Sequence, residues 1–382
     1  MSTMSDIAVY GGSFDPITTA HADIIKKLAE RFDEVRVVPC RLSPFKTSVS
    51  ASAEDRLAML DMALAGIPRV TVDTGELYAD GTNYTYLTLE RLSGPGRRLR
   101  LVMGSEMVIE LEKWKRVDRM CELAELYVIP RPGFPLTGEL MAKLDALFPA
   151  RWTLADFQGM AGSSSEVRIS FAMGEPEMFM AADTAAYAAA HGLYGEYSYV
   201  NGLYAEYKLK PKRIRHSFST ALCGVELAKR CCADTRKATV ALLLHDIGKY
   251  ITKEDAESMG IVFGPAIDDM PLPVRHAEIG AEILRQKLHI DDDEIVEAVR
   301  WHTTGKPAMT ALEKVVYLAD CIEPLRDYPG VDVIRRETEK GIDEGLLAAL
   351  RMSVEHVGEE GLYPLTREAY LYYKNESERQ GA

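Results

Sequence analysis

Tyr10-Gly-Gly-Ser-Phe-Asp-Pro-Ile-Thr-Thr-Ala-His21 decides the reading of the first half of the chain. Ile7 to Tyr10 is a short apolar run suited to a buried strand, Gly11 and Gly12 allow a tight turn, and from Ala20 the apolar spacing is helical. A strand, glycine turn and helix of this kind gathers backbone N–H groups and a helix N-terminus around one point, where an anion can sit. The pattern is neither the dinucleotide Gly-x-Gly-x-x-Gly fingerprint nor the phosphate loop ending in Gly-Lys-Ser/Thr.

Outward from this stretch, Ile25, Leu28, Ala29 and Phe32 recur at helical spacing and Val35 to Val38 is again strand-like, which makes a βαβ unit. Val70 to Val72, Leu99 to Met103 and Leu126 to Ile129 continue the alternation, so a doubly wound parallel α/β sheet is predicted for residues 1–196. In such sheets ligands collect at the C-terminal strand ends where the topology reverses, and Gly11 to His21 and Gly104 to Glu106 fall there. Ala181 to Gly195 reads as a closing helix. Gly192-Leu-Tyr-Gly-Glu-Tyr197 is then echoed by Gly202-Leu-Tyr-Ala-Glu-Tyr207, and residues 197–210 are taken as a linker. Strand signals stop at Pro211, so 211–382 is predicted all-α.

A chain of 382 residues suits two domains. A net charge of -13 argues against a nucleic-acid polymer or an anionic membrane as partner. Six cysteines without a Cys-x-x-Cys pair, and no basic segment with an apolar core at the start, fit a reducing cytoplasmic compartment. No apolar run reaches the roughly 18 residues of a membrane span. Homo-oligomerisation is left open.

Gly11-Gly-Ser-Phe-Asp-Pro16 with Thr18 and His21, and Ser163-Ser-Ser-Glu-Val-Arg168, resemble the two motifs of the nucleotidyltransferase superfamily. Adenylyl transfer is attack by one phosphate on the α-phosphate of ATP with loss of pyrophosphate, so catalysis is mostly alignment and charge neutralisation. His21 can donate to an α- or β-phosphate oxygen. Gly11, Gly12, Ser13, Phe14 and Thr18 form the turn, Ser163, Ser164 and Ser165 cradle the leaving pyrophosphate, and Arg168 and Lys46 offset its charge. The plain structural alternatives are a tight βα turn, a serine helix cap and a surface lysine.

Gly104-Ser-Glu106 with Trp114, Asn83-Tyr-Thr-Tyr-Leu-Thr-Leu89 and Arg131-Pro-Gly-Phe134 resemble nicotinate mononucleotide adenylyltransferases over residues 5 to 195. That resemblance implies ATP with Mg2+, nicotinate mononucleotide as acceptor, and an acceptor site from Thr85, Gly104, Glu106, Trp114 and Arg131. Trp114 equally suits a core position. Thr18 replaces the family's first histidine, Phe45 the histidine before the lysine, and Glu106 an aspartate. Thr18 is also similar to the threonine of pantetheine-phosphate adenylyltransferases, which keeps that acceptor, or a degenerate nucleotide-binding module, as the alternative.

In the second half stand His216, His245-Asp246, His276, His302 and Asp320; His216, His245, His276, His302 and Asp320 each share an apolar helical stripe, for example His245 with Ala238, Ala241 and Leu242, and His302 with Ile295 and Val299. Each is expected to point into the core. A buried carboxylate is costly unless paired, and the sequence shows no matching set of buried-looking arginines or lysines, so metal ions are expected. One such histidine is usually a satisfied core residue, whereas four with two aspartates form a ligand set. Leu244-His-Asp-Ile-Gly-Lys249 resembles the HD metal-phosphohydrolase superfamily. His302-Thr-Thr-Gly305 and Ala319-Asp-Cys-Ile-Glu-Pro-Leu-Arg326 resemble its members that split diadenosine tetraphosphate into two ADP, over residues 205 to 375. The resemblance implies two metal ions, iron or manganese: one on His216, His245, Asp246 and Asp320, the other on Asp246, His276 and His302. Two such ions would activate a water and stabilise the phosphoryl oxygens. Lys249 and Arg326 are candidate phosphate clamps, with a solvated lysine or a structural ion pair as the plain alternative for each.

Overall fold

In the computed structural model, which describes residues 4–41, 50–79, 83–358 and 363–380, the strand Ser5–Gly12 lies at the centre of a sheet. The chain divides into two compact units, Met1–Gly195 and Glu196–Ala382.

The first unit is built from strands β1 (Ser5–Gly12), β2 (Glu34–Pro39), β3 (Val70–Val72), β4 (Arg97–Gly104), β5 (Ala124–Ile129) and β6 (Trp152–Leu154). Its helices are α1 (Thr19–Arg31), α2 (Ala53–Leu64), α3 (Thr85–Leu92), α4 (Ser105–Val108), α5 (Val117–Leu123), α6 (Gly138–Leu147), α7 (Ser164–Met173) and α8 (Ala182–Ala190). The strands run parallel in the order β3-β2-β1-β4-β5-β6, with Val9 opposite Arg36 on one side and Leu101 on the other. The order reverses between β1 and β4, so their C-terminal ends flank the crevice, as the sequence reading expects.

Alternation along β1 sends Ala8 to one face and Ile7 and Val9 to the other, and each face has its own apolar cluster. Ile24, Ile25, Leu28, Met59 and Leu60 cover the first; Leu89, Leu92, Met120, Leu144 and Phe148 cover the second. A strand buried on both faces reads as a continuous apolar run, which is why Ile7 to Val9 is legible. Full burial of each Ile or Leu stabilises by about 1.5–3 kcal/mol relative to exposure. The strand β6 escapes sequence reading because it is a three-residue edge strand paired only with β5, with no residue fully buried.

In the second unit the elements are helical: α9 (Val200–Glu206), α10 (Pro211–Arg230), α11 (Thr235–Leu244), α12 (Lys253–Ser258), α13 (Leu272–Gln286), α14 (Asp293–Arg300), α15 (Ala311–Ile322), α16 (Val331–Lys340), α17 (Ile342–Val357) and α18 (Pro364–Gln380). The stretch 197–210, expected as a linker, carries α9. Tyr204 on it is buried, packs edge-on against Phe218 and donates to the Leu243 carbonyl at 2.7 Å. The apolar residues of the echoed Gly-Leu-Tyr segment therefore serve the core of the second unit. No helix among the described residues is long and apolar enough to cross a membrane.

Candidate functional sites

At the first site Thr18 caps α1, its hydroxyl accepting from His21 N–H at 3.1 Å while its own N–H donates to His21 Nδ1 at 3.1 Å. A backbone amide only donates, so Nδ1 accepts and the neutral imidazole carries its proton on Nε2. His21 also meets the Phe14 ring edge-on, with centroids 5.3 Å apart. The expected tight turn at Gly11 and Gly12 is displaced: β1 runs through Gly12, paired with Pro39, and the chain leaves the sheet at Ser13. Phe14, at φ 42°, folds its ring back over Gly12, where a Cβ would lie 3.2 Å from the ring. Gly12 thus serves a close approach rather than the turn itself.

The start of α7 meets the start of α1, with Ser164 Oγ donating to Pro16 O at 2.9 Å and Thr18 Oγ1 to Gly162 O at 3.4 Å. Two helix N-termini therefore converge beside His21, a geometry that favours a phosphate group. Ser163 takes the capping alternative: Glu166 accepts from its N–H at 2.7 Å and its hydroxyl at 2.9 Å. Ser165 sits half-buried in the first turn. Arg168 Nη2 donates to Asp15 O at 2.6 Å and Asp15 Oδ2 at 3.0 Å, so its charge is anchored at the rim of the turn. Lys46 and Phe45 lie outside the described residues.

Across the crevice, Gly104 ends β4, and a Cβ there would lie 2.1 Å from Glu106 Oε2, so glycine lets that carboxylate fold over the backbone. Arg131 Nε stands 3.6 Å from Glu106 Oε1, and Ser105 Oγ accepts from Arg131 N–H at 3.0 Å. Burial, only partly offset by Arg131, raises the Tyr10 phenol well above its ordinary value, so it stays protonated beside this pair. Thr85 opens α3 half-buried, and Trp114 lies half-buried against the second apolar cluster.

At the second site the predicted ligands come together. His216 sits on α10, His276 on α13 and Asp320 on α15, but His245 and His302 lie just past the ends of α11 and α14 rather than within them. Helix-end carbonyls lack amide partners, and here the two rings supply them. His245 Nδ1 donates to Leu242 O and His302 Nδ1 to Val299 O, each at 2.6 Å, and His216 Nδ1 donates to Glu323 Oε1 at 2.9 Å. With Nδ1 held outside, Nε2 of each ring is turned to the centre. Asp246 Oδ2 lies 3.4 Å from His245 Nε2 and 3.7 Å from His216 Nε2; Oδ1 lies 3.1 Å from His276 Nε2 and 3.8 Å from His302 Nε2. One carboxylate thus stands between two imidazole pairs. His216, His245 and Asp246 can share one ion, and Asp246, His276 and His302 another. Asp320 Oδ1 adds to the first set, 2.9 Å from His216 Nε2. Imidazole nitrogens and carboxylates so grouped fit a pair of divalent ions.

The electrostatics agree. Burial alone would raise the Asp246 carboxyl, but His245, His276 and His302 around it hold it well below its usual range. Burial pushes His276 down to about 4, leaving it neutral near pH 7. At His216 burial is outweighed by the Asp320 and Glu323 carboxylates, which raise it. Contrary to expectation, the carboxylates do have basic partners. Arg213 donates to Asp246 Oδ2, Arg326 donates to Asp320 Oδ1, and Lys249 Nζ stands 3.9 Å from Asp246 Oδ1 and 3.2 Å from His276 Nε2. These long side chains reach in from a partly exposed rim, so apolar periodicity does not reveal them.

Residues 9–169 match the cytidylyltransferase-like family and 213–325 the HD domain family. Across 193 residues the chain is 33% identical to a probable nicotinate-nucleotide adenylyltransferase of a Roseiflexus species, covering 49% of this chain and 97% of that one. Across 151 residues it is 34% identical to a symmetrical bis(5'-nucleosyl)-tetraphosphatase of Bacillus subtilis, covering 38% and 78%. The chain belongs to both families. A Mycoplasma pneumoniae protein named as a probable nicotinate-nucleotide adenylyltransferase/Ap4A hydrolase matches over 90% of this chain and 93% of its own length at 26% identity, so the two halves recur together.

Within the adenylyltransferase half, sequence reading overlooked Asp15 and Arg56. Asp15 also accepts from the N–H groups of Ser50 and Ala51 and from the Tyr194 hydroxyl, and buried Arg56 ties Ser13 O and Cys40 O at 2.7 Å each. In the HD half the overlooked residues are Glu323, Arg213 and Gly248. A Cβ on Gly248 would lie 2.6 Å from His276 O and 2.7 Å from Gly280 N, so only glycine lets the His245-Asp246 turn touch α13. Asp15, Gly248 and Glu323 stood inside recognisable motifs, the one available signal; nothing in the sequence marked Arg56 or Arg213.

Proposed function

We propose a bifunctional enzyme: adenylyl transfer from ATP, carried as its Mg2+ complex, to nicotinate mononucleotide, and symmetrical hydrolysis of diadenosine tetraphosphate to ADP. For the first activity the carrying observation is the Thr18 N–H bond to His21 Nδ1, which makes Nε2 the nitrogen that can donate to a phosphate oxygen between two helix N-termini. The start of α7, capped by Ser163 and carrying Ser164 and Ser165, and Gly11 to Phe14 frame the triphosphate, with Arg168, anchored on Asp15, neutralising the departing pyrophosphate and Lys46 assigned the same charge. Thr85, Gly104, Glu106, Trp114 and Arg131 are assigned to the acceptor.

For the second activity the carrying observation is Asp246 between two imidazole pairs. His216, His245, Asp246 and Asp320 would hold one ion and Asp246, His276 and His302 the other; the mixed ligands suit iron, manganese, cobalt or zinc, and the resemblance to HD phosphohydrolases points to iron or manganese. Such ions, when bound, supply Lewis-acid activation of water and of the phosphoryl group. Lys249 and Arg326 contribute positive charge to the phosphate chain, and Glu323 keeps the His216 ring oriented. We place the protein in the cytoplasm, in keeping with six free cysteines.

The test is an assay of pyrophosphate release from ATP with nicotinate mononucleotide, nicotinamide mononucleotide or phosphopantetheine, beside product analysis with diadenosine tetraphosphate. Release with nicotinate mononucleotide and formation of ADP alone are expected. Release only with phosphopantetheine reassigns the acceptor, and no release with any of the three removes the transferase reading.

A further inference from the structure

A dinucleoside tetraphosphate bound at the His and Asp cluster would end in a nucleoside on each side, and a run of contacting side chains links Asp246 to the partly exposed Tyr250. Arg213, in the first turn of α10, donates to Asp246 Oδ2, and Arg213 N–H donates to Lys210 O at 2.8 Å, so the two cations share a turn. Lys210 Nζ lies 4.8 Å from the centroid of the Tyr250 ring. Tyr250 is 36% exposed and directly follows Lys249, whose Nζ is 3.2 Å from His276 Nε2. The run therefore closes on itself, beginning at the bridging carboxylate and returning to a ligand of the second set. A half-exposed aromatic ring flanked by cations, beside a centre built for phosphates, is the chemistry that recognises a nucleoside polyphosphate: the ring stacks a base and the cations pair with phosphate oxygens.

Resting on the hydrolase reading above, we infer that Tyr250, Lys210 and Arg213 form the subsite for one adenosine arm of the dinucleotide, the Tyr250 ring stacking the base and Lys210 and Arg213 holding the phosphates next to it. In an otherwise acidic protein, Lys208, Lys210, Lys212, Arg213 and Arg215 fall inside eight positions, which concentrates positive charge along the segment that carries Lys210 and Arg213.

The experiment reads the hydrolase of the full chain. Tyr250→Ala is expected to raise KM for diadenosine tetraphosphate about tenfold and to weaken inhibition by ADP by a similar factor, while inhibition by pyrophosphate and metal content stay as in the parent; Tyr250→Phe restores both values. Lys210→Ala is expected to weaken inhibition by ADP and pyrophosphate alike. An unchanged KM and ADP inhibition in Tyr250→Ala overturns the subsite, and so does a parallel loss of ADP and pyrophosphate inhibition, which marks a disturbance of the centre itself. A parent protein that leaves diadenosine tetraphosphate intact overturns the hydrolase reading instead.

Discussion

Thr18 N–H donates to His21 Nδ1 at 3.1 Å, and this one bond decides which nitrogen of His21 can serve a phosphate. His21→Ala is expected to lower adenylyl transfer by about 10²–10³-fold in kcat, as when one donor to a developing charge is removed. Thr18→Ala keeps the backbone donor, so its expected effect is the loss of a helix cap, about 1 kcal/mol of stability, with a far smaller fall in rate. Steady-state kinetics of both variants check this; equal losses would give the Thr18 side chain a direct part in the chemistry.

Asp246→Ala is expected to abolish both metal content and cleavage of diadenosine tetraphosphate while adenylyl transfer continues, because both of its oxygens face imidazole pairs within the second unit. Metal analysis of the purified variant is the check, and parental stoichiometry would contradict the bridging role.

Glu323 accepts from His216 Nδ1–H and so keeps Nε2 turned to the centre. Glu323→Gln retains a hydrogen-bonding group without the charge, and the expected result is about 10–100-fold weaker metal affinity with the fold intact. Competition with a chelator measures it; parental affinity would make Glu323 a packing residue only.

Gly248 lets the backbone of the His245-Asp246 turn rest on α13, and the obstructing atoms are main chain, which cannot rotate away. Gly248→Ala is expected to destabilise the second unit by at least about 1–3 kcal/mol and to loosen the pairing of Asp246 with His276. Thermal unfolding and metal content report the two effects, and an unchanged melting temperature would refute the close approach.

Burial pushes the thiols of Cys223 and Cys321 up to about 12, whereas Cys232 is exposed. Since the thiolate is the nucleophile, native protein at pH 8 should show a fast reaction with a disulfide reagent that Cys232→Ser removes, while Cys223 and Cys321 react only on unfolding. Raising the pH toward 10 leaves those two still largely protonated, so their protection should persist; rapid labelling of either would count against the packing around α10 and α15.

Legibility followed distance along the chain. Thr18 and His21, or His245 and Asp246, are near neighbours whose spacing is itself the signal, and buried strands such as Ile7 to Val9 declare themselves by apolar runs. The partners that orient these groups are remote: Glu323 is 107 residues from His216, Tyr194 is 179 from Asp15, and Arg213 is 33 from Asp246. Long cations also mislead periodicity, because Arg213 and Arg326 reach a buried carboxylate from positions that pattern as surface.

The sequence by itself determined the two-part organisation, the parallel sheet followed by helices, and which histidines and aspartates gather in the second unit, because these rest on local periodicity and on residue types at short spacing. Only the tertiary structure decided which way each imidazole faces, that Ser163 is a cap, that Gly12 and Gly248 serve close contacts, and that the carboxylates have cationic neighbours. Those outcomes depend on which donor meets which acceptor once distant segments pack, and side-chain chemistry alone leaves that choice open.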